Sequence, residues 1–452
     1  MKLEELKNKK ILIVGRGIEG KAVYKYLKKH LPNAVIDIVD QKDGDSYLHK
    51  QKNYDIAIKS PGVKSELIKI PYTTSTNIFM SNAKGKIIGI TGTKGKSTTS
   101  TLIYKILEKD GKDAYLGGNI GQSPLEFLDK LNDHSWTVLE MSSFQLQDLG
   151  KSPADAEAMA GKPHIAVILM IGEEHLDYHK TRKNYVDAKR NILRFQIDSD
   201  FAIINKDYPE SHESDIHTLA KIFHVSRERE VGNGCFVKDE SVWMKRDGKT
   251  EKIIEINKIK LLGKHNLENV CAAVVAATLA GVSKKNIVKV LSEFSGLEHR
   301  LEFVSEKNGI RFYNDSLATI SQATIGALEA LPETETLIAG GHDRGLDYTP
   351  LAQYLINGQI KTLILFPPTG KRIWEEICKI VPQNSRPEKF DVKTMEQAVR
   401  IAAAETSVGK ICLLSPASAS FGIFKDYKDR GEQFKEQVLK LKSQKLNRKT
   451  TS

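Results

Sequence analysis

The segment KGKIIGITGTKGKSTTSTLIYKILEKDG constrains the fold of this chain more than any other. An apolar run ends in a tight glycine loop, and the loop opens directly onto a long helical pattern. A strand that hands over to a helix in this way is half of a parallel crossover, because parallel neighbours are joined through a helix packed on the sheet. The alternation recurs. ILIV leads through a helical stretch to AVIDIVD and DIAIKSPGV; TVLEMSS, HIAVILMIG and FAIINKD follow; TLIAGG, KTLILF and KICLLS come last. This pattern predicts an α/β chain with mainly parallel sheets. Residues 232–260 alternate apolar and polar, as short antiparallel strands do, and 266–280 predict a buried helix rich in Ala and Val.

A composition break at 81–85 separates the first unit from the glycine-loop unit, and 298–313 read as the opening of a third α/β unit. The expected domains are therefore 1–83, 84–296 and 297–452, in keeping with roughly 100–200 residues per domain. Residues 151–162 read as a surface loop. No apolar run reaches the roughly 18 residues that span a bilayer. The charged start runs straight into ILIV without the apolar core of a signal peptide, so a cytoplasmic location is expected. Cys235, Cys271, Cys378 and Cys412 are far apart in apolar or strand-like runs, with neither metal-ligand spacing nor a disulfide framework. The net charge of +11 fits either an anionic ligand or a lysine-rich solvated surface, and part of it is the basic stretch 435–449. No basic run is interleaved with aromatic residues, so nucleic acid is not an expected partner.

Five places carry chemistry. In TGTKGKST, residues Gly92, Thr93, Gly95, Lys96, Ser97 and Thr98 would curl around a phosphate at a helix N-terminus, with Lys96 on the β/γ-phosphates and the Ser97 hydroxyl on Mg²⁺. The usual first glycine is missing: Ile90 stands five before Gly95, and Gly92 lies only three before it. The alternative is a glycine-rich turn of no function. Gly15, Gly17 and Gly20 after ILIV, with Asp40 ending the next strand, match a dinucleotide fingerprint, which also suits another nucleotide or mere helix–strand packing. In EMSSFQ, Glu140 suits Mg²⁺ and Ser142, Ser143 and Gln145 suit substrate, or all are ordinary strand-end polar residues. In EEHLDYH, His175 suits a metal, supported by Asp177 and His179; a structural histidine is the alternative. Asn269 in HNLEN, Arg300 in EHR and Asp315 in YNDSLAT are polar groups suited to an adenine edge, a polyphosphate and a ribose.

Together these motifs, in this order, resemble the Mur ligase family over nearly the whole chain. The pieces are GRGIEG, KSPGV, TGTKGKST, GGNIG, EMSSFQL, EHLDYH, LLGKHNLEN, HRLE, NDSLAT, GGHDRG and LLSPASASFGIFKDYKDRGEQF. The resemblance accounts for the unusual glycine spacing, which is the family's own variant. It implies three domains: a Rossmann-like UDP-binding domain, a central P-loop ATPase domain and a Rossmann-like C-terminal domain. It implies an ATP- and Mg²⁺-dependent ligase of peptidoglycan synthesis, monomeric, acting on a UDP-sugar-linked carboxylate and an amino acid. The set most resembles the members that add D-glutamate to UDP-N-acetylmuramoyl-L-alanine through an acyl phosphate.

The resemblance also implies residue roles. Lys96, His175 and Lys189 are catalytic, and Ser97 and Glu140 serve one Mg²⁺ while His175 and a carbamylated Lys189 serve a second. Asn269, Arg300 and Asp315 bind ATP. Ile18, Asp40, Ser60, Pro61 and Gly62 hold the uridine diphosphate, and Asn119 and Ser142 the muramoyl-alanine part. Thr319, Arg344, Ser420 and Tyr427 hold the amino acid's carboxylates. By itself, Lys189 reads as a helix-surface lysine. Lys94, Met170, Leu317, Ile320, Arg344, Ser418 and Gly422 depart from the family's usual residues, mostly around the amino-acid pocket. The other readings are a Mur-type ligase for another amino acid such as L-glutamate, a non-catalytic nucleotide-binding paralogue, and a nicotinamide-dependent dehydrogenase. The last uses only the first unit, and a folylpolyglutamate synthase would lack that unit.

Overall fold

A computed structural model of the protein describes residues 1–150, 161–357 and 360–441. Most of the loop expected at 151–162, and the basic stretch beyond 441, lie outside the described residues. The chain forms two compact units, one of Met1–Ile259 with His265–Phe294, the other of Lys260–Lys264 with Ser295–Ser452.

The first unit holds two sheets. Strands β1 (Ile11–Val14), β2 (Ile36–Val39), β3 (Ile56–Lys59) and β4 (Tyr72–Thr74) form a parallel sheet in the order β2-β1-β3-β4. β1 is central and buried throughout, so its sequence ILIV is an unbroken apolar run. The second sheet has nine strands: β5 (Lys86–Thr91), β6 (Ala114–Gly118), β7 (Trp136–Glu140), β8 (Ile165–Ile168), β9 (Phe201–Asn205), β10 (Lys221–Ser226), β11 (Gly234–Lys238), β12 (Ser241–Arg246) and β13 (Lys249–Glu255). Their order is β13-β12-β11-β10-β9-β8-β5-β7-β6, parallel except for the antiparallel pairings of β12. The alternating pattern at 232–260 thus does form antiparallel strands.

β5 lies between β7 and β8. The chain runs first to the β7–β6 side and then returns to the β8 side. This reversal opens a crevice at the carboxyl ends of β5, β7 and β8, where open α/β sheets bind ligands. Helix Asn266–Leu279 is buried along most of its length and packs on helix Lys96–Lys109, which follows β5.

The two sheets share one apolar core, in which Ile11, Ile13 and Phe79 from the first segment join Leu139, Ile168 and Ile204. The break at 81–85 therefore separates two sheets but not two compact units: too much apolar surface is common to both. A buried ion pair between Lys59 at the end of β3 and Asp148 also joins them.

The second unit carries β14 (Glu302–Lys307), β15 (Ile310–Asn314), β16 (Thr334–Gly340), β17 (Thr362–Phe366), β18 (Glu388–Asp391) and β19 (Ile411–Leu414), in the order β14-β15-β19-β16-β17-β18. Successive residues of β16 enter opposite cores: Leu337 and Ala339 one, Ile338 the other. Each face is therefore covered, as a largely parallel sheet requires. Only β14 is antiparallel, so 298–313 open as a hairpin rather than a crossover.

Candidate active site

After β5 the chain must turn sharply, and its glycines permit this. Gly92 and Gly95 have φ of 154° and 85°, values that side chains rarely allow. A Cβ on Gly95 would lie 2.2 Å from Asn269 Oδ1. Asn269 is buried beneath the loop, accepting from Thr99 Oγ1 at 3.2 Å and donating to Asn266 Oδ1 at 2.8 Å. Here it braces the glycine loop. Thr93 is pinned from both sides: its N–H donates to Met170 O (2.7 Å), and its hydroxyl lies 3.0 Å from Tyr185 OH. Thr98 is buried in the first turn of the helix, and Ser97 half-buried.

The Lys96 ammonium donates to the carbonyl oxygens of Gly92 (2.9 Å) and Thr93 (3.0 Å). Lys189, on helix Arg182–Arg190, donates to the same Gly92 oxygen at 2.8 Å and sits over the Tyr185 ring. Only 2% of Lys189 is exposed, which corrects its reading as a surface lysine. Burial, then the Lys96 charge, push its pKa down to about 7 against the opposing pull of Glu174 and Glu140. A lysine so placed is a neutral amine for much of its time near neutrality.

Glu140 ends β7 and is buried. Its Oε1 accepts from Asn119 Nδ2 at 3.0 Å, whereas its buried Oε2 has no hydrogen-bond partner. An orphaned buried carboxylate oxygen costs about 1–3 kcal/mol, and a cation relieves it. The donor set therefore fits a divalent metal on Glu140. His175 follows β8 in a left-handed conformation, φ 56°, and its ring packs at a tilt against Phe144, 4.9 Å between centroids. Such a conformation in a non-glycine residue is local strain of the kind kept at functional sites. His179 lies 3.0 Å from Ser143 Oγ and so ties the loop after β8 to the one after β7. The Asp177 side chain lies outside the described residues.

A cavity of about 390 Å³ gathers Lys96, His175 and Lys189 with Asn119, Ser142 and Gln145. Pro61 and Gly62, from the loop after β3, line it as well. So do Glu19, Phe144, Glu174 and Tyr185, which the sequence reading did not single out. Glu19, Phe144 and Glu174 lie inside quoted motifs and Tyr185 four residues before Lys189, and only folding shows which way each faces. Glu19 accepts from Ser75 Oγ at 2.5 Å and from Gln145 Nε2 at 2.9 Å, and burial raises its pKa. Gln145 also closes a capping box with Ser142, so its polar atoms are engaged within the protein. Lys94 pairs with Glu174 at 2.7 Å.

The first sheet places the remaining candidates of this unit. Both Asp40 oxygens accept backbone N–H groups, from Arg16 (2.6 Å) and Lys42 (3.1 Å), which hold its pKa below the usual carboxylate range. Gly20 permits close packing, since a Cβ there would lie 1.9 Å from Gly15 O. Ser60 lies beneath Gly15, and Ile18 is 82% exposed at the start of its helix.

In the second unit, Asp315 is buried and accepts from Leu301 N and Ser415 Oγ; burial pushes its pKa up to about 7. Arg300 acts on it electrostatically. Arg344 donates to Thr319 O at 3.2 Å, which brings those two together. Ser420 is buried, and Tyr427 O accepts from Ser316 Oγ at 2.8 Å. The same Ser316 holds the wholly buried Arg430, which also reaches Ser418 O and which the sequence reading missed.

The profile of the Mur ligase middle domain matches residues 90–277. The UDP-N-acetylmuramoylalanine--D-glutamate ligase of Acetivibrio thermocellus is 34% identical over 467 residues, covering 96% of this chain and 97% of its own. The chain belongs to the Mur ligase family. A second ligase of the same name, from Geobacillus kaustophilus, is 40% identical over 400 residues, 86% of this chain and 84% of its own. Solved ligases share the fold. MurF from Acinetobacter baumannii superimposes with a TM-score of 0.61 at 18% identity, over 80% of this chain and 78% of its own. The pseudomurein peptide ligase type C of Methanothermus fervidus does so with 0.58 at 16%, over 96% and 100%. Mur ligases use ATP and Mg²⁺, and this Mur ligase has no helix among the described residues long and apolar enough to cross a membrane.

Proposed function

We propose that this Mur ligase adds D-glutamate to UDP-N-acetylmuramoyl-L-alanine in the cytoplasm, with ATP, through an acyl phosphate, as a step of peptidoglycan precursor synthesis that supports cell shape and division. The observation that carries the chemistry is the single cavity that holds Lys96, His175 and Lys189 against Pro61 and Gly62. The amino acid comes from the name shared by the curated relatives. On this reading residues 1–83 bind the UDP-sugar, 84–296 bind ATP, and 297–452 bind the amino acid.

The substrate carboxylate oxygen attacks the γ-phosphorus, the bond to ADP breaks, and an acyl phosphate forms. The amine of the amino acid then attacks the acyl carbon, and phosphate leaves as the peptide bond forms. Phosphoryl transfer needs positioning and charge stabilisation more than covalent help. The backbone of Gly92 to Thr98 cradles the phosphates, and Lys96 swings from the loop carbonyls to neutralise them. Asn269 supports the loop, and Arg300 and Asp315 bind the rest of the nucleotide. Ser97, Glu140, His175 and Lys189 would hold Mg²⁺ in two sites; when bound, it neutralises the phosphate oxygens.

An ammonium cannot ligate Mg²⁺. The neutral Lys189 amine adds to CO₂ at its carbon, losing a proton and leaving a carbamate with a carboxylate-like anion. Burial of Lys189 supports this, because it favours the amine over the ammonium. Ile18, Asp40, Ser60, Pro61 and Gly62 take the uridine diphosphate, and Asn119, Ser142 and Gln145 the muramoyl-alanine part. Thr319, Arg344, Ser420 and Tyr427 take the amino acid. A second reading, the same ligase with L-glutamate, rests on the departures at Leu317, Ile320 and Arg344; Arg344 stands where the family usually has a lysine, and the two present their charge to carboxylates differently.

Phosphate release with Mg·ATP and UDP-N-acetylmuramoyl-L-alanine tests this. Release that needs D-glutamate meets the proposal. Release with L-glutamate alone moves the specificity, and none with either removes the ligase reading.

A further inference from the structure

A second group of metal-binding side chains lies in the first unit, and none of its members lines the cavity described above. His212 and Asp215 stand three apart on the helical turns Pro209–His212 and Glu213–His217, a spacing that puts them on one face. His224 comes from β10. The Asp215 Oδ2 atom is 2.9 Å from His224 Nε2 and 3.7 Å from His212 Nε2, and the three ligand atoms lie within 4.8 Å of one another. A tetrahedral ion bound at about 2.0–2.1 Å holds its ligands about 3.3 Å apart. The two Asp215 distances bracket that value, and the separation of the two imidazoles, within 4.8 Å, leaves about 1.5 Å at most for side-chain movement to close.

A second observation points the same way. Asp215 Oδ1 is buried and accepts no hydrogen bond. Among the described residues, its ion-pair partners are the two imidazoles, neither of which is a permanent cation. The comparable cluster of Glu298, His299 and Glu432 differs here, since the Lys435 ammonium already lies 2.8 Å from Glu432 and 3.7 Å from Glu298. Two imidazoles and one carboxylate suit a borderline first-row ion with water in the fourth position, whereas Mg²⁺ prefers oxygen ligands.

We propose that His212, Asp215 and His224 form a structural site for a Zn²⁺-type divalent transition ion. Its position explains what it would brace. Ser211, next to His212, accepts from Ile171 N at 3.0 Å and donates to Leu169 O at 2.8 Å, at the β8 exit that leads to His175. Arg190, next to Lys189, donates to Ser214 Oγ at 3.2 Å and to Glu210 O at 3.0 Å. An ion on His212 and Asp215 therefore stiffens the turn on which both catalytic segments lean.

The test uses the tag-free full chain, stripped by chelation and titrated with Co²⁺ as a visible probe. One equivalent should bind with ligand-field bands and be displaced by Zn²⁺. Asp215→Asn and His212→Gln should each weaken binding by more than about 100-fold, beyond the loss typical of an outer-shell partner. His175→Ala should leave it unchanged. Zn²⁺ should raise the melting temperature of the wild type but not of Asp215→Asn. In the wild type, Zn²⁺ should also protect His212 and His224 from diethyl pyrocarbonate, a readout that needs no variant to fold. Absence of Co²⁺ binding, binding that survives both substitutions, or binding lost with His175→Ala would each overturn the proposal.

Discussion

The Lys59 ammonium and the Asp148 carboxylate lie 2.8 Å apart with both side chains wholly buried. Burial alone would raise the carboxyl's pKa, but Lys59, with hydrogen bonds from Ser65 and Tyr72, outweighs it and holds the group below its usual range. A pair like this is weak as a net source of stability, yet breaking it takes from a buried charge the counter-charge that lies against it. Asp148→Ala should therefore destabilise the protein by about 3–5 kcal/mol, whereas Lys59→Met with Asp148→Leu should come close to wild type. Urea unfolding of the three proteins checks this; equal losses in single and double variants would mean the pair is not coupled.

Lys96→Ala should lower ATP turnover by about 10²–10³-fold or more, the cost of removing one charge-stabilising donor. The fold should persist, because the ammonium's hydrogen bonds to the Gly92 and Thr93 carbonyl oxygens lie within its own loop. Phosphate release and a thermal melt, run side by side, separate the two effects. Unchanged turnover would remove the phosphate-loop assignment.

Lys189 gives a stability signature in alkaline solution. Its pKa in the fold, about 7, lies below the unfolded value, so the unfolded chain binds more protons between about pH 7 and pH 10. Stability should rise with pH through that window, by roughly 5 kcal/mol at most, and stay level with respect to this group below it. In CO₂-free buffer, Lys189→Met should flatten the rise. In the activity assay, Lys189→Ala should be inactive and partly restored by short carboxylates, which stand in for the carbamate anion. Failure of that rescue would leave the carbamate without support.

Asp315 acts with the opposite sign and in a different window. Its pKa is raised to about 7 in the fold, so the stability it contributes is complete below the unfolded value, near 4, and is lost as pH rises through about 7. Asp315→Asn should shrink the difference in unfolding free energy between pH 5 and pH 8 by roughly 2–4 kcal/mol. Chemical denaturation at the two pH values measures it directly.

By itself the sequence determined the α/β class, the glycine loop and its helix, the antiparallel tail of the central sheet and the buried helix Asn266–Leu279. These follow from local periodicity, turn chemistry and capping, all readable over a dozen residues. Short or half-exposed strands such as β4, β6 and β18 escaped, because their apolar pattern is weak. Only tertiary structure decided which candidates share a site. Lys189 read as a surface lysine until packing turned it beneath Gly92, and Asn269 proved to lie against Gly95 under the glycine loop. Glu19 and Gln145, 126 residues apart, meet only because the first sheet packs on the second. Burial, and with it the shifted pKa values of Glu19, Lys189 and Asp315, depends on contacts between segments distant in sequence, and these no local pattern encodes.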